Sequence, residues 1–335
     1  GDSDYKIAQK YDINQSNLSK YSSGKAALSE THAWLFANIL DLDPAEVVAN
    51  TKYEHAINTG NNTKAIFWQE QLNKIFSDIE PIKIQIAQFN AIVGDIESNA
   101  QKMLNLIHDA ADLGAHLIVF PELALTGYPP EDLLFRDGFI NQVNEQIDFL
   151  CKSAPSSISV LFGAPNKTND SLFNSAYCIQ KNKIIHIYNK QELPNYGVFD
   201  EKRYFSPGDE SFVFECQKTK IGVLICEDQW VEGPISKLCQ YNIDIVISIN
   251  ASPFQSEKHN DRLEICKNYA SSFDISFIYV NMVGGQDEVV FDGNSFVVNE
   301  NGKIALQLPE FEELNCLHTS SIQLMGSLSE EKSIY

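Results

Sequence analysis

From Ile82 onward the chain is a succession of short apolar runs, cut off by turn residues and separated in places by stretches with helical spacing. IKIQIAQF (82–89) alternates apolar and polar residues with period two and predicts a strand. Residues 96–114 place Ile96, Met103, Leu104, Ile107 and Ala111 at helical spacing. HLIVF (116–120) predicts a short buried strand. SVLFGAP, SAYCIQ, KIIHIYNK, SFVFEC, IGVLIC, IDIVISIN, SFIYVN and SFVVNENGKI follow in that order. Hairpins are predicted at Lys181-Asn182-Lys183 and at Glu300-Asn301-Gly302. Strands outnumber helices, which predicts an α/β fold of sheets with helices on their outer faces.

The front of the chain reads differently. Residues 4–50 look helical, with little strand signal. NTGNNTK (58–64) is a polar, turn-rich break. AIFWQEQLNKIFSDI (65–79) predicts one short helix, its apolar side formed by Ile66, Phe67, Leu72, Ile75 and Phe76, and Pro81 stops it. The domain organisation expected is a helical module over 1–57, a linker with a short helix over 58–80, an α/β domain over 81–322 and a tail over 323–335. A chain of 335 residues suits one large domain plus a small one.

Composition narrows the function classes. The net charge of −20 argues against a chain devoted to nucleic acid or to an anionic membrane surface. No apolar run approaches the roughly 20 residues needed to span a bilayer, and the start, Gly-Asp-Ser-Asp, shows no signal peptide. The seven cysteines are scattered and include no CxxC. That pattern predicts reduced thiols and a cytoplasmic location, with no disulfide framework or zinc site.

Three strand runs end in an ionisable residue. HLIVFPELALTGY puts Glu122 just after one, IIHIYNKQELPNYGVFDE puts Lys190 just after another, and GVLICEDQW puts Cys226 at the end of a third. A carboxylate, an amine and a thiol at three strand ends are expected to converge over one sheet edge. Together they form a set for acyl transfer from an amide or nitrile. The thiol attacks as thiolate. Glu takes its proton and returns it to the leaving amine. Lys steadies the oxyanion and lowers the thiol's pKa. Each also has a plainer reading: Glu122 as a helix cap, Lys190 as a solvated hairpin lysine, Cys226 as core.

FPELALTGYPPEDLL, NKQELPNYGVFDEKRYFSPG, GVLICEDQW, INASPFQSEKHNDR and NMVGGQDEVVFDGNSFVVNENGKI resemble the nitrilase superfamily, and more closely the glutaminase domain of glutamine-dependent NAD synthetases. The similarity runs over about residues 82–320. It implies an αββα sandwich with a Glu122–Lys190–Cys226 triad hydrolysing the glutamine side-chain amide. It also implies a glutamine pocket at Tyr196, Ser252 and Lys258, lined by Tyr128 and Glu227. The Glu227 carboxylate would receive the substrate ammonium and its backbone N–H would join the oxyanion hole, while Asp228 fits a polar loop that fixes the cysteine turn. Arg262 is a pocket or surface residue. Family members associate through the sandwich, so a homo-oligomer is expected.

The full family enzyme carries an ATP-dependent synthetase domain opening with an SGGxDS pyrophosphate loop. No such motif occurs here, and VGGQDE (283–288) lies within the glutaminase match. No cofactor is therefore expected on this chain. ATP and magnesium would belong to a separate synthetase domain or subunit that takes the ammonia, with a glutaminase acting alone as the alternative.

Residues 4–50 resemble a Cro/repressor-type helix-turn-helix. Ala8 would mark the helix crossing, Asp12 the turn, and Ile13 and Leu18 the core. Gln15, Asn17 and Lys20, with Ser16 and Ser19, would face a major groove. The alternative is a small helical bundle that binds a protein or nothing. The segment is not basic, and no arginine precedes Arg136, which weakens the DNA reading. Two other functions remain open: an amidase for a different small amide, and a DNA-binding regulator with a ligand-sensing domain.

Overall fold

The structure is a computed structural model, describing residues 13, 15–22, 25–40, 42–77, 80–168 and 171–320. The chain divides into two compact units, with the boundary between Glu80 and Pro81.

The first unit is helical: α1 Gln15–Ser22, α2 Glu30–Leu40, α3 Pro44–Asn58 and α4 Asn62–Ser77. Helix α3 starts where Asp43 accepts from Ala45 N at 2.7 Å and Pro44 takes the first helical position. The expected short linker helix is a sixteen-residue helix packed in this unit. Its covered face also differs from the expected one. Ala65 and Leu72 are buried and Trp68 is half-buried under Lys52 of α3, while Ile66 and Phe67 are exposed. Small Ala49 and Ala56 on α3 let the helices approach along the Ala65–Trp68–Leu72 stripe, and that choice turns Ile66 and Phe67 outward. The side chains of Ile75 and Phe76 lie outside the described residues. So do Ala8, Asp12 and the side chains of Gln15 and Leu18, on which the helix-turn-helix expectation rests. Ile13 is buried, Asn17 half-buried and Lys20 exposed.

The second unit holds two six-stranded sheets. Its elements are β1 Ile82–Gln88, α5 Ile96–Asp112, β2 Leu117–Val119, α6 Asp137–Ser153, β3 Ser159–Lys167, β4 Leu172–Gln180, β5 Lys183–Asn189, β6 Phe212–Cys216, β7 Thr219–Ile225, α7 Glu232–Cys239, β8 Ile245–Asn250, α8 Lys258–Phe273, β9 Ser276–Asn281, β10 Val283–Gln286, β11 Val289–Asp292, β12 Phe296–Val298, β13 Ile304–Gln307 and β14 Leu314–Ser320. The first sheet runs β14-β1-β2-β3-β4-β5 and the second β13-β12-β9-β8-β7-β6. In each, three consecutive strands are parallel (β1, β2, β3 and β7, β8, β9) and the remaining pairs are antiparallel.

Alternation along the strands builds the layers. Ile82, Ile84 and Ile86 face Ile221, Val223 and Ile225 in a core between the sheets. Ile118, Val160 and Phe162 point outward against Ile107, Val143 and Ile147 of α5 and α6. On the other side Leu224, Val246 and Phe277 meet Ile235, Leu238 and Cys266 of α7 and α8. The result is the expected αββα sandwich. At the predicted hairpin, Lys181 and Asn182 both take positive φ, as a two-residue turn between twisted strands needs. Among the described residues no helix is long and apolar enough to cross a membrane.

Candidate active site

Strand β2 delivers Glu122. The chain leaves Val119, turns at Pro121 and buries the glutamate, with Leu123 held at φ 48. Gly163 on β3 makes room for this turn, because a Cβ there would overlap the backbone of Glu122 and Leu123. Strand β5 delivers Lys190, whose backbone is tied on both sides: its N–H donates to Asn174 O and its carbonyl accepts from Gly208, each at 2.8 Å.

The Lys190 ammonium is fully buried between two carboxylates, 2.7 Å from Glu122 Oε1 and 2.8 Å from Glu201 Oε1. Burial alone would lower its pKa, but the attraction of Glu122 and Glu201 outweighs that and leaves it well above the usual lysine range. Lys190 is therefore a fixed positive charge. Glu122 Oε1 also accepts from Asn174 Nδ2 at 2.7 Å, and Oε2 accepts from Ala251 N at 2.8 Å. Ala251 follows β8, so this carboxylate bridges the two sheets.

Strand β7 delivers Cys226, which opens a short 3₁₀ turn (Cys226–Gln229) at φ 45, an unusual backbone state for a residue other than glycine. The thiol is buried within electrostatic reach of Glu122, Lys190, Glu201 and Glu227. The three groups thus come together, but not over one sheet edge as expected. Glu122 and Lys190 end strands of the first sheet and Cys226 ends a strand of the second, so the site sits between the sheets at one end of the sandwich. The expected downward pull of Lys190 on the thiol is present, but it is not the largest influence. Burial, reinforced by Glu122, pushes the Cys226 thiol well above its ordinary pKa, and Lys190 pulls back without prevailing. Two carboxylates already answer the lysine charge, which leaves it less able to hold the thiol's pKa down.

Glu201 carries no local sequence signal for a site. It lies in the run Asp200-Glu201-Lys202-Arg203, which reads as solvated, yet it is buried against Lys190 and accepts from Tyr128 Oη at 2.9 Å. Burial raises its pKa, while Lys190 and the Tyr128 bond oppose the rise. Asn174 likewise carries no local signal; it lies on β4, just ahead of the SAYCIQ run. Tyr128, expected to line the substrate pocket, is buried in the wall of the site with its hydroxyl committed to Glu201. Removing that donor disfavours the ionised form. Tyr128→Phe is therefore expected to raise the Glu201 pKa and shift the acid limb of the kcat/KM–pH profile to higher pH; an unmoved limb in paired pH–rate curves would refute this.

The other expected pocket residues divide. Tyr196 is exposed, and its hydroxyl donates to the Glu227 carboxylate, 3.0 Å from each oxygen. Lys258, the first residue of α8, holds its ammonium 5.7 Å from the ring centroids of both Phe199 and Trp230, within cation–π range. Phe199 in turn packs edge-on against Tyr196, so Tyr196, Glu227 and Lys258 share one rim. Ser252 is buried, with its N–H on Asn281 Oδ1 at 2.9 Å. Arg262 is neither pocket nor surface. It is buried in a two-bond pair with Asp292 and donates to the carbonyls of Ser252 and Pro253, bracing the Ser252 turn from behind. Gln15, Asn17 and Lys20 belong to the helical unit.

A carbon–nitrogen hydrolase family profile matches residues 83–328. This chain belongs to the carbon–nitrogen hydrolase family. The hydrolase unit is 40% identical over 236 residues to the glutamine-dependent NAD(+) synthetase of Acinetobacter baylyi, a match covering 70% of this chain and 43% of that protein. The counterpart from Thermotoga maritima is 38% identical, with 69% and 41% covered. In three dimensions the chain is similar to the glutamine-dependent NAD+ synthetase of Acinetobacter baumannii, with TM-score 0.69, 42% identity, and 71% of this chain and 45% of that one covered. An amidase from Nesterenkonia sp. shares the fold at TM-score 0.65 and 20% identity, with 72% and 91% covered. The chain thus spans under half the length of these synthetase relatives.

Proposed function

We propose that the α/β unit hydrolyses the side-chain amide of glutamine to glutamate and ammonia, supplying ammonia for NAD biosynthesis. The observation that carries this reading is the fully buried Lys190 ammonium, clamped between Glu122 and Glu201 beside the Cys226 turn. The names of the relatives, glutamine-dependent NAD(+) synthetases at about 40% identity, support the choice of substrate.

The groups divide the chemistry as follows. Glu122 Oε1 already accepts two hydrogen bonds, whereas Oε2 accepts only Ala251 N; Oε2 has the spare lone pair. As Cys226 Sγ attacks the amide carbon, its proton passes to Glu122 and the C–S bond forms. The carbonyl oxygen becomes an oxyanion, stabilised by Lys190 and by the N–H of Glu227 in a water-excluded site. Collapse breaks the C–N bond, and Glu122 returns the proton to the departing nitrogen as ammonia. Water, deprotonated by Glu122, then cleaves the thioester to glutamate and restores the thiol. The steps need no cofactor. We place ATP and magnesium on a separate synthetase domain or subunit that consumes the ammonia, and expect the sandwich to form a homo-oligomer.

Glu227, oriented by Tyr196, is the group that would select a free amino acid through its ammonium. A hydrogen bond to a charged group contributes about 1.5–3 kcal/mol. Glu227→Gln is thus expected to lower the preference for glutamine over a simple aliphatic amide, as a ratio of kcat/KM values, by about 10- to 100-fold. An unchanged ratio would remove Glu227 from recognition. The function itself is tested by ammonia release from purified protein offered glutamine, asparagine and simple amides. Glutamine is expected to be the best substrate; faster turnover of a simple amide would favour the amidase alternative.

A further inference from the structure

Behind the Cys226 turn lies a carboxylate that touches neither Lys190 at hydrogen-bond distance nor the rim. Asp228 is fully buried and accepts four hydrogen bonds. Oδ1 takes the backbone N–H of Gln191 at 2.9 Å and of Glu192 at 2.8 Å. Oδ2 takes the backbone N–H of Ile225 at 3.0 Å and the hydroxyl of Tyr188 at 2.8 Å. The Tyr188 hydroxyl is itself oriented by Gln191 Nε2 at 3.1 Å. Three donors therefore come from residues flanking Lys190 (Tyr188, Gln191, Glu192) and the fourth from the residue before Cys226. The first group belongs to the end of β5 in the first sheet, and Asp228 and Ile225 to the end of β7 in the second.

We propose that Asp228 is a positioning residue, a clasp that sets the Cys226 turn of one sheet in register with the Lys190 segment of the other. The proposal rests on reading Cys226 and Lys190 as nucleophile and oxyanion stabiliser. A carboxylate offers about four lone-pair directions and no donor, so Asp228 is saturated by these contacts and has nothing left for a substrate. Its partners also explain why it is aspartate. An asparagine would keep one oxygen for Gln191 and Glu192 but turn an NH₂ group toward the Ile225 N–H, donor against donor. Burial pushes the Asp228 pKa up to about 6, with the backbone donors and Lys190 opposing the rise, so it is ionised at neutral pH. Neither sheet carries both reacting groups, so their separation depends on contacts between the sheets, and this clasp joins the two segments directly.

The test compares Asp228→Asn and Tyr188→Phe with the wild type. Three quantities are measured: kcat for glutamine, the rate of Cys226 alkylation by iodoacetamide followed on its peptide by mass spectrometry, and thermal unfolding. A misplacement of about 1 Å costs about 10²-fold in rate. Asp228→Asn is expected to lose that much in kcat at a temperature where it is still folded. Tyr188→Phe keeps the charge and loses one donor of four; it is expected to fall about 3- to 10-fold in kcat and to alkylate more slowly, because the thiol is less firmly held beside Lys190. Folded variants with lower melting temperatures but kcat and alkylation within twofold of wild type would overturn the proposal and leave Asp228 a purely structural group. If Asp228→Asn does not fold, Tyr188→Phe decides by the same criterion. Alkylation reports on the thiol without substrate. It therefore separates a failed clasp from a failed nucleophile assignment, which retained activity in Cys226→Ala would reveal.

Discussion

Cys226→Ala is expected to abolish ammonia release from glutamine, by at least about 10⁴-fold, while the protein stays folded. Removing the nucleophile of an acyl-transfer set costs about as much as removing the whole set, since base and oxyanion stabiliser have nothing left to act on. The structural cost is small by comparison. The side chain is buried in the inter-sheet core among Ile225, Ile249 and Val280, so losing one sulfur costs about 1 kcal/mol, typical of a conservative core change. The positive φ burdens alanine and cysteine alike. Ammonia assays beside a far-UV circular dichroism melt check both halves. Near-wild-type turnover would sink the assignment. Cys178 and Cys266 are no ready substitutes, because each is buried in packing and burial raises each thiol's pKa.

The largest stability effect is expected from Lys190→Gln. The wild-type ammonium pairs with both Glu122 and Glu201, and all three side chains are buried. Breaking a buried pair by removing one partner typically costs about 3–5 kcal/mol, because the remaining charge is stranded. Turnover should fall by at least about 10²-fold, the scale of losing an oxyanion-hole donor. The deficit should depend on pH, with a sign set by Glu201. Its folded pKa is already raised by burial and by Glu122, and losing Lys190, which holds it down, raises it further. A carboxyl whose folded pKa lies above its unfolded value contributes stability below the unfolded pKa, and that contribution is lost as pH rises through the folded pKa. The variant should therefore lag the wild type more at pH 8 than at pH 5. Urea denaturation at the two pH values measures this. A deficit under about 1 kcal/mol, equal at both, would show that the lysine charge is not what holds the carboxylates.

Much of the α/β unit is legible in the chain itself, because its central strands are buried on both faces and bounded by turns. β1, β2, β7, β8 and β9 lie where the apolar runs are. The residues that follow β2, β5 and β7 (Glu122, Lys190, Cys226) are visible because a strand end is a local feature. Other elements are less plain. Helix α6 carries Phe139, Ile140, Val143, Ile147 and Leu150 at helical spacing, a signal that could have been read. Strand β14, LNCLHTS, has no such pattern and exists as a strand through pairing with β1 from Ile82↔Ser320 to Gln88↔Leu314.

The amino-acid sequence by itself determined the local elements, the strand ends that carry ionisable groups, and the family resemblance in its motifs. Only the tertiary structure decided which sheet each strand end joins, and hence that the thiol approaches its partners from the opposite sheet. It also decided that Glu201 is buried rather than solvated, that Asp228 ties the cysteine turn to the end of β5, that Arg262 braces a turn, and that α4 hides Ala65 and Leu72 instead of Ile66 and Phe67. The physical reason is range. Periodicity and turn chemistry act over a few neighbouring residues, whereas burial and pairing depend on partners such as Tyr188 and Asp228, forty positions apart in the chain and joined by one hydrogen bond.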